Sequence, residues 1–161
     1  MNLLDYLNSA KSSLFRYEGL QEYDIEQERE AVQHFLENGV FDESRMREWW
    51  DFIESKKKTG VSMQRVRLLV EPLTDYTKME LAIHRKSNKV GDDIRVITEE
   101  KLKELLGLKP QDFWLIDDSA ALLMQYDSVG KYLGFTLAED VAPFLFLKNE
   151  FLKNSISIEH I

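Results

Sequence analysis

Ten charged or aromatic residues of this sequence lie at or beside the ends of predicted strands. They are Arg65, Arg67, Glu71, Asp75, Tyr76, Asp93, Arg95, Trp114, Asp118 and Tyr126. Arginines bind phosphate through paired hydrogen bonds, and carboxylates act as bases or metal ligands. Because ligands of open α/β sheets gather where strands end, these residues form a candidate ligand-binding set. They also fit a structural ion-pair network in which Arg67 or Arg95 neutralises a carboxylate, and we favour that interpretation.

The sequence lacks a complete catalytic or metal-binding motif. His34, His84 and His160 have no partner signature such as a serine elbow, and we expect them on the surface. Cysteine, H-E-x-x-H and glycine-rich phosphate loops are absent from the sequence. The pairs Asp92–Asp93 and Asp117–Asp118 are more typical of turns than of magnesium sites. The sequence therefore predicts no metal and no cofactor, favours a protein that is not an enzyme, and assigns no catalytic residue.

A strand, a helix and a second strand must position the first of these residues. The run "QRVRLLVE" predicts a strand that ends at Pro72. The next segment, "LTDYTKMELAIHRKSNKVG", fits a hairpin arm or a helix. The helix is favoured because Thr74 or Asp75 caps it and Gly91 follows its end. Since the strand-like "DIRVI" comes next, the order predicts a parallel pair of strands.

The remaining segments complete an α/β pattern. "TEEKLKELLGL" predicts a helix that Thr98 caps and Gly107 ends. Three short strands follow, in "FWLIDD", "ALLMQYD" and "YLGFTLA", and "DVAPFLFLKNEFLKNS" predicts a closing helix with Pro143 in its first turn. The tail "ISIEHI" adds a short strand or stays loose.

The N-terminal third predicts amphipathic helices. "DIEQEREAVQHFLENG" has Asp24 as its N-cap and Gly39 after its end, and "ESRMREWWDFIESKKK" directs Trp49 and Trp50 into the core. We therefore predict a helical N-terminal extension at 1–60 and an α/β (or α+β) domain at 61–161. This domain is expected to contain a mixed sheet of about five strands with crossover helices.

Composition narrows the class of partner. The 161 residues carry 29 acidic and 21 basic side chains, for a net charge of −8. Because no basic face is apparent, direct nucleic-acid binding is disfavoured, and an acidic surface suits a basic protein partner. No signal peptide or membrane-spanning run is recognised. We expect a cytoplasmic protein without membrane contact, and the oligomeric state stays open.

Several segments occur in the order found in a known family. "LFRYEGLQEYDIEQERE", "RVRLLVEPLTDYTKMEL", "GDDIRVI", "DFWLIDD" and "MQYDSVGKYLG" closely resemble an uncharacterised bacterial domain family that is abundant in actinobacteria and often encoded beside helix-turn-helix regulators. The positions typical of the family are Glu71, Pro72, Asp75, Tyr76, Glu80, Gly91, Asp93, Arg95, Phe113, Trp114, Asp118, Tyr126, Asp127 and Gly130. The segment "HRKSNKVGDD" departs from the family, whose members are more apolar there.

A weaker resemblance concerns the fold alone. "DIRVI", a helix and "FWLIDDSAALLM" are similar to half of a phospholipase D-like domain. In that superfamily a histidine and a lysine precede a catalytic aspartate. When Asp118 is aligned with it, Phe113 stands at the lysine position and Gln111 at the histidine position. The resemblance therefore implies a degenerate domain of the kind that serves as an interaction module.

Two functions follow as hypotheses. The first is a non-enzymatic interaction or regulatory module that binds a partner protein such as a helix-turn-helix transcription regulator. The alternative is an enzyme or sensor that binds a nucleotide or phosphorylated small molecule at the strand ends. A cavity lined by carboxylates that are not paired with arginines would favour the alternative.

Overall fold

A mixed sheet of seven strands forms the centre of the described chain. The computed structural model describes the backbone of residues 1–161 and every side chain except that of Gln27. The strands are β1 (Ser13–Glu18), β2 (Ser62–Leu69), β3 (Asp93–Thr98), β4 (Phe113–Ile116), β5 (Ala120–Tyr126), β6 (Tyr132–Leu137) and β7 (Ile156–Ser157). The helices are α1 (Leu3–Ser9), α2 (Arg29–Asn38), α3 (Arg47–Lys58), α4 (Asp75–Val90), α5 (Glu99–Leu106) and α6 (Ala142–Asn154).

The strand order is β6-β5-β4-β1-β2-β3-β7. The strands β1, β2 and β3 are parallel, and the other neighbouring pairs are antiparallel. The parallel pair of β2 and β3 across helix α4 confirms the predicted strand–helix–strand unit. The mixed α/β class is also confirmed, but the prediction of about five strands is wrong, since β1 and β7 bring the sheet to seven.

The strand β1 lies inside the segment predicted as a helical extension. It pairs with β2 on one side and β4 on the other, at the middle of the sheet. The strand was not predicted from the sequence because the charged residues Arg16 and Glu18 interrupt its apolar residues. In the structure both charged side chains are buried. A helical extension at 1–60 is therefore only weakly supported, and the division at 60/61 stays a prediction.

Local capping follows the sequence closely in the C-terminal two thirds. The Thr74 hydroxyl accepts a hydrogen bond from the backbone N–H of Thr77 at the start of α4. Thr98 caps α5 in the same way. Asp24, however, is not an N-cap: a 3-10 turn at 26–28 precedes α2, and the Asp24 carboxylate instead binds Arg29.

Helices cover both faces of the sheet. One face packs against α1, α3 and α4 through apolar side chains that include Leu14, Trp50 and Trp114. The other face packs against α5 and α6, with Tyr17 and Phe151 stacked at 4.5 Å between ring centroids. Helix α2 lies against α4 through a smaller apolar cluster. Within the described chain, no helix combines the length and apolar character needed to cross a bilayer.

Candidate functional site

A cavity of about 450 Å³ lies between the sheet and the layer formed by α2, α3 and α4. Six aromatic side chains contribute to its walls, namely Tyr23, Phe41, Trp49, Tyr76, Trp114 and Tyr126. Its charged lining includes Arg16, Glu18, Glu28, Arg65, Glu80 and His84. The cavity therefore combines flat aromatic surfaces with convergent charged groups, and small-molecule sites use both kinds of group.

The strand β1 supplies Arg16 and Glu18 to the cavity. Since side chains alternate along a strand, these two residues share one face while Tyr17 points to the opposite core. The Arg16 guanidinium donates to Asp112 at 3.2 Å and to the Tyr126 hydroxyl at 2.9 Å. Asp112 also accepts hydrogen bonds from the backbone N–H of Gly19 and from the Tyr23 hydroxyl. This network fixes the floor of the cavity.

The strand β2 supplies Arg65 beside Glu18. Nη1 of Arg65 donates to Glu18 at 2.7 Å, and its Nε lies 3.4 Å from Asp92. Its guanidinium carbon is 5.6 Å from the ring centroid of Trp114 and 5.9 Å from that of Trp49. Arg65 is thus held by two carboxylates and two indole rings, which together fix its position.

The helix α4 supplies Tyr76, Glu80 and His84, which recur at intervals of four residues and so share one helix face. The Tyr76 hydroxyl donates to Glu28 at 3.0 Å. Nε2 of His84 lies 3.1 Å from a Glu80 oxygen and 3.6 Å from a Glu18 oxygen. The ligand atoms of Glu18, Glu80 and His84 all lie within 4.8 Å of one another, so these three residues could hold a metal ion.

The carboxylates of the cavity have different proton affinities. Burial, followed by the charge of Glu80, raises the pKa of Glu28 to about 7. Burial also opposes ionisation of Glu18, but the positive charges of Arg65 and other neighbours hold its pKa far below the usual range. His84 lowers the pKa of Glu80 against the effect of burial. Burial also raises the pKa of Asp92, against the charge of Arg65. Glu28, with its pKa of about 7, consequently exchanges a proton near neutral pH.

Several buried side-chain nitrogens around the cavity lack a hydrogen-bond partner within the described part of the chain. They are Nη1 of Arg16, Nε and Nη1 of Arg67, and Nε2 of His84. Arg67 is fully buried behind the cavity, with its guanidinium 5.2 Å from the ring centroid of Tyr23 and a 3.4 Å hydrogen bond to the Gln21 carbonyl. An unpaired buried donor costs about 1–3 kcal/mol. Of the two arginines, Arg16 is the one that lines the cavity, so a bound molecule that accepts from its guanidinium would offset this cost.

Four members of the predicted ligand-binding set line this cavity, namely Arg65, Tyr76, Trp114 and Tyr126. Arg67 lies directly behind them. The residues were predicted to gather at the strand ends. The cavity instead lies over the face of the sheet that α3 and α4 cover.

The other five predicted residues lie elsewhere. Glu71 and Asp75 are exposed, and Asp75 faces Lys78 at 4.0 Å. Asp93 accepts a hydrogen bond from Gln64 at 3.4 Å. Arg95 binds Ser155 after α6. Asp118 pairs with Lys148 of α6 at 2.7 Å. Among the described contacts of these five residues, only those of Asp75 and Asp118 are ion pairs. Arg95 binds serine and carbonyl oxygens and Arg67 binds a carbonyl oxygen, so the described hydrogen bonds do not include the predicted neutralisation of a carboxylate by either arginine.

Sequence reasoning missed six residues of the site: Arg16, Glu18, Glu28, Glu80, His84 and Asp112. The expectation that His84 is a surface residue is wrong, since it is 6% exposed. Two signals were present in the sequence. The spacing Glu80-x-x-x-His84 places both groups on one face of a predicted helix, and the alternation Arg16-x-Glu18 places both on one face of a strand.

Comparison with known proteins gives a family but no activity. The model of a family described as "Domain of unknown function (DUF6879)" matches residues 2–156. No curated protein matches the chain. The family match spans α1 to the start of β7, and therefore includes every residue of the cavity.

Proposed function

The chain belongs to the DUF6879 family, and we propose that its cavity binds a small planar molecule of the nucleobase or nucleotide class. The main observation is that Arg16, whose Nη1 is a buried donor without a partner in the described chain, lines the cavity together with the rings of Trp114 and Tyr126. The proposal develops the sequence-based alternative of a sensor. It includes no bond-making step.

The size of the cavity suits a ligand of this class. Small-molecule sites commonly enclose about 300–1,000 Å³, and this cavity holds about 450 Å³. That volume accommodates a purine ring with part of its sugar. The ring would lie among aromatic side chains, where stacking of a base contributes roughly 1–3 kcal/mol.

The polar groups match the edge of a heterocycle. The edge of a nucleobase presents donors and acceptors side by side. Arg16 offers a donor, while Glu28 and Glu80 offer acceptor oxygens that no arginine binds in the described contacts. Arg65, in contrast, is already paired with Glu18 and Asp92. We therefore expect the base, rather than the phosphate, to enter the cavity.

Isothermal titration and thermal shift with adenine, guanine, cytosine and uracil, each as base, nucleoside and nucleotide, test this proposal. We expect at least one probe to raise the melting temperature, because a ligand of the native state stabilises it by mass action. Trp49→Leu should weaken that binding by about tenfold, the loss of one stacking contact of about 1.4 kcal/mol. Phe146→Leu, on the exposed side of α6, is the matched control.

The result that overturns the proposal is equally direct. If no probe of the panel binds at concentrations up to about 1 mM, the cavity is not a nucleobase site. If a probe binds but Trp49→Leu and Phe146→Leu bind it equally well, the ligand occupies another surface.

A second candidate function, binding of a partner protein, is favoured by the edge strand β6. This strand ends the sheet and exposes Leu133 and Leu137, which are 64% and 51% accessible. Exposed edge strands pair with extended segments of other proteins. In this proposal the chain is a bacterial cytoplasmic protein, its fold is a phospholipase D-like interaction module, and its partner is a helix-turn-helix regulator, as the resemblances imply.

Co-elution with such a regulator on size-exclusion chromatography tests the second candidate. The double variant Leu133→Ser/Leu137→Ser should abolish co-elution, whereas Leu4→Ser, on the exposed side of α1, should not. Co-elution that survives the double variant would remove β6 as the binding strand.

A further inference from the structure

We infer that Glu18, Glu80 and His84 form a binding site for one divalent transition-metal ion, of the Mn²⁺ to Zn²⁺ series, at the inner wall of the cavity. This inference does not depend on nucleobase binding. It departs from the sequence-based expectation of no metal, because folding joins residues that are distant in the chain.

The donor atoms have the spacing of a metal site. The two carboxylate oxygens and Nε2 of His84 lie within 4.8 Å of one another. Metal–ligand bonds of about 2.1 Å place two ligands of one ion at most about 4.2 Å apart. An adjustment of about half an ångström in the side chains therefore brings all three donors onto one ion. Two carboxylates and one imidazole suit Mn²⁺, Fe²⁺ and Zn²⁺.

The imidazole of His84 is the independent observation. Its side chain is 8% exposed, and Nε2 faces two carboxylates at 3.1 and 3.6 Å. Despite these short distances, Nε2 makes no hydrogen bond of acceptable geometry to a described residue. A buried nitrogen that faces two carboxylates in this way is explained by an ion between the three groups, which would use its lone pair.

The charges of the surroundings favour a cation. The buried carboxylates around the site are Glu18, Glu80, Asp92 and Asp112, and Glu28 is half-buried beside them. The buried guanidinium groups are Arg16, Arg65 and Arg67. Even without Glu28, the carboxylates outnumber the guanidinium groups, and a bound cation would offset that surplus of negative charge.

The bond from Arg65 to Glu18 is compatible with this role. Nη1 of Arg65 occupies one position on Oε1 of Glu18. A carboxylate has about four lone-pair sites, so Glu18 can keep that bond and still bind an ion. Partners of this kind orient metal-binding carboxylates in many sites. Because all three donors line the cavity, the remaining coordination positions of the ion would face the ligand space.

The exposed pair Glu30 and His34 of α2 offers a matched control. It repeats the spacing of Glu80 and His84 on a helix, but both residues are exposed. His34→Gln therefore removes an imidazole in the same local sequence arrangement without touching the cavity. His84→Gln and Glu80→Gln remove the proposed ligands while keeping similar volume.

Electron paramagnetic resonance with MnCl₂ and calorimetric titration with ZnCl₂ test the inference on the full chain. We expect one ion per chain to bind at concentrations below about 1 mM. His84→Gln and Glu80→Gln should each weaken binding by at least about tenfold, and His34→Gln should leave it unchanged. The folding of each variant is checked by circular dichroism.

The wild-type titration alone is decisive even if a variant fails to fold. Absence of Mn²⁺ and Zn²⁺ binding below about 1 mM would overturn the inference. So would paramagnetic broadening by Mn²⁺ of amide signals around His34 rather than around His84. Equal affinity of the wild-type chain and a folded His84→Gln variant would overturn it as well.

Discussion

The hydroxyl of Tyr76 donates a hydrogen bond to the carboxyl group of Glu28 at 3.0 Å, joining the first turn of α4 to the 3-10 turn before α2. This contact closes the cavity on the side of α2, because Glu28 and Tyr76 also line the neighbouring surface cleft. The protonation of one carboxyl group is therefore linked to the wall of the cavity.

The first prediction concerns pH. Burial, followed by the charges of Glu80 and Glu18, raises the pKa of Glu28 from 4.5 to about 7, while Tyr76 and His84 act in the opposite direction. A carboxyl group whose pKa is raised by folding stabilises the fold fully below its unfolded pKa. That contribution is lost as the pH rises through the folded value. Relative to Glu28→Gln, the wild-type chain should therefore lose stability between pH 4.5 and 7.

Urea unfolding of both chains across this pH range, with a chelator present, measures the effect. The difference in unfolding free energy should change by at most about 3 kcal/mol over the range. Parallel pH profiles of the two chains would show that Glu28 titrates normally in the fold. Glu37→Gln, on the exposed face of α2, is the control and should follow the wild-type profile.

The second prediction concerns the buried pair of Arg16 and Asp112, whose side chains are 5% and 4% exposed. Asp112→Ala leaves the guanidinium of Arg16 buried without its counter-ion. Loss of one partner of a buried pair costs about 3–5 kcal/mol. Glu30→Ala breaks a pair in which Glu30 is 87% exposed, and exposed pairs contribute only about 0–1 kcal/mol.

Chemical denaturation of the two variants compares these costs. The prediction fails if Asp112→Ala unfolds at the same denaturant concentration as Glu30→Ala. Since Asp112 also accepts from Gly19 and Tyr23, its loss should further loosen the segment that leads to α2, measurable as faster amide exchange there.

Features that depend on neighbouring residues in the sequence were predicted correctly more often than features that depend on distant residues. Thr74, Thr98 and Gly107 define helix ends through bonds within a few residues, so their roles could be predicted from neighbouring sequence. The alternation along β2 correctly predicted that Val66 points to one face of the sheet and that Arg65 and Arg67 point to the other. It did not predict which of the two faces holds the cavity. These features need only the helical and strand periods.

The site itself depends on pairings that the sequence does not display. Arg16 and Glu18 were not predicted as site residues because their partners, Asp112 and Arg65, lie far away in the chain. His84 read as a surface residue because "HRKSNK" is polar, yet α4 turns that one side chain inward. These contacts depend on the order of the strands, in which β1 is the central strand of the sheet.

The third prediction concerns Gly130, in the turn between β5 and β6. Its φ is +87°, and a Cβ there would lie 2.5 Å from the carbonyl oxygen of Glu22. The backbone N–H of Asp24 donates to the carbonyl oxygen of Gly130 at 3.0 Å, so this turn holds the segment that carries Tyr23. Gly130→Ala should push that segment away from the cavity.

The variant Gly107→Ala is the control that separates the cost of backbone strain from the cost of a steric clash of the new methyl group. Gly107 has a φ of +69°, and nothing lies within 4 Å of the site of its Cβ. Both variants should lose about 1–2 kcal/mol for a left-handed backbone, but Gly130→Ala should lose about 1–3 kcal/mol more. Equal melting temperatures would show that the turn accommodates the methyl group.

The fourth prediction concerns Ser87, whose hydroxyl accepts a hydrogen bond from the indole Nε1 of Trp50 at 2.9 Å. The bond joins α3 to α4 over the cavity, and Trp50 and Ser87 are 7% and 2% exposed. Ser87→Ala leaves the indole N–H buried without an acceptor, which costs about 1–3 kcal/mol. In the background Trp50→Phe, which has no such donor, the same substitution should cost much less.

A double-mutant cycle from urea unfolding gives the coupling energy of this pair. We expect a coupling of about 1 kcal/mol, since both single changes remove the same bond. A coupling indistinguishable from zero would mean that apolar packing of Trp50 against Ile53 and Met63, rather than the hydrogen bond, holds α3 over the cavity. The roof of the cavity would then depend on core volume, and Trp50→Phe alone should loosen it.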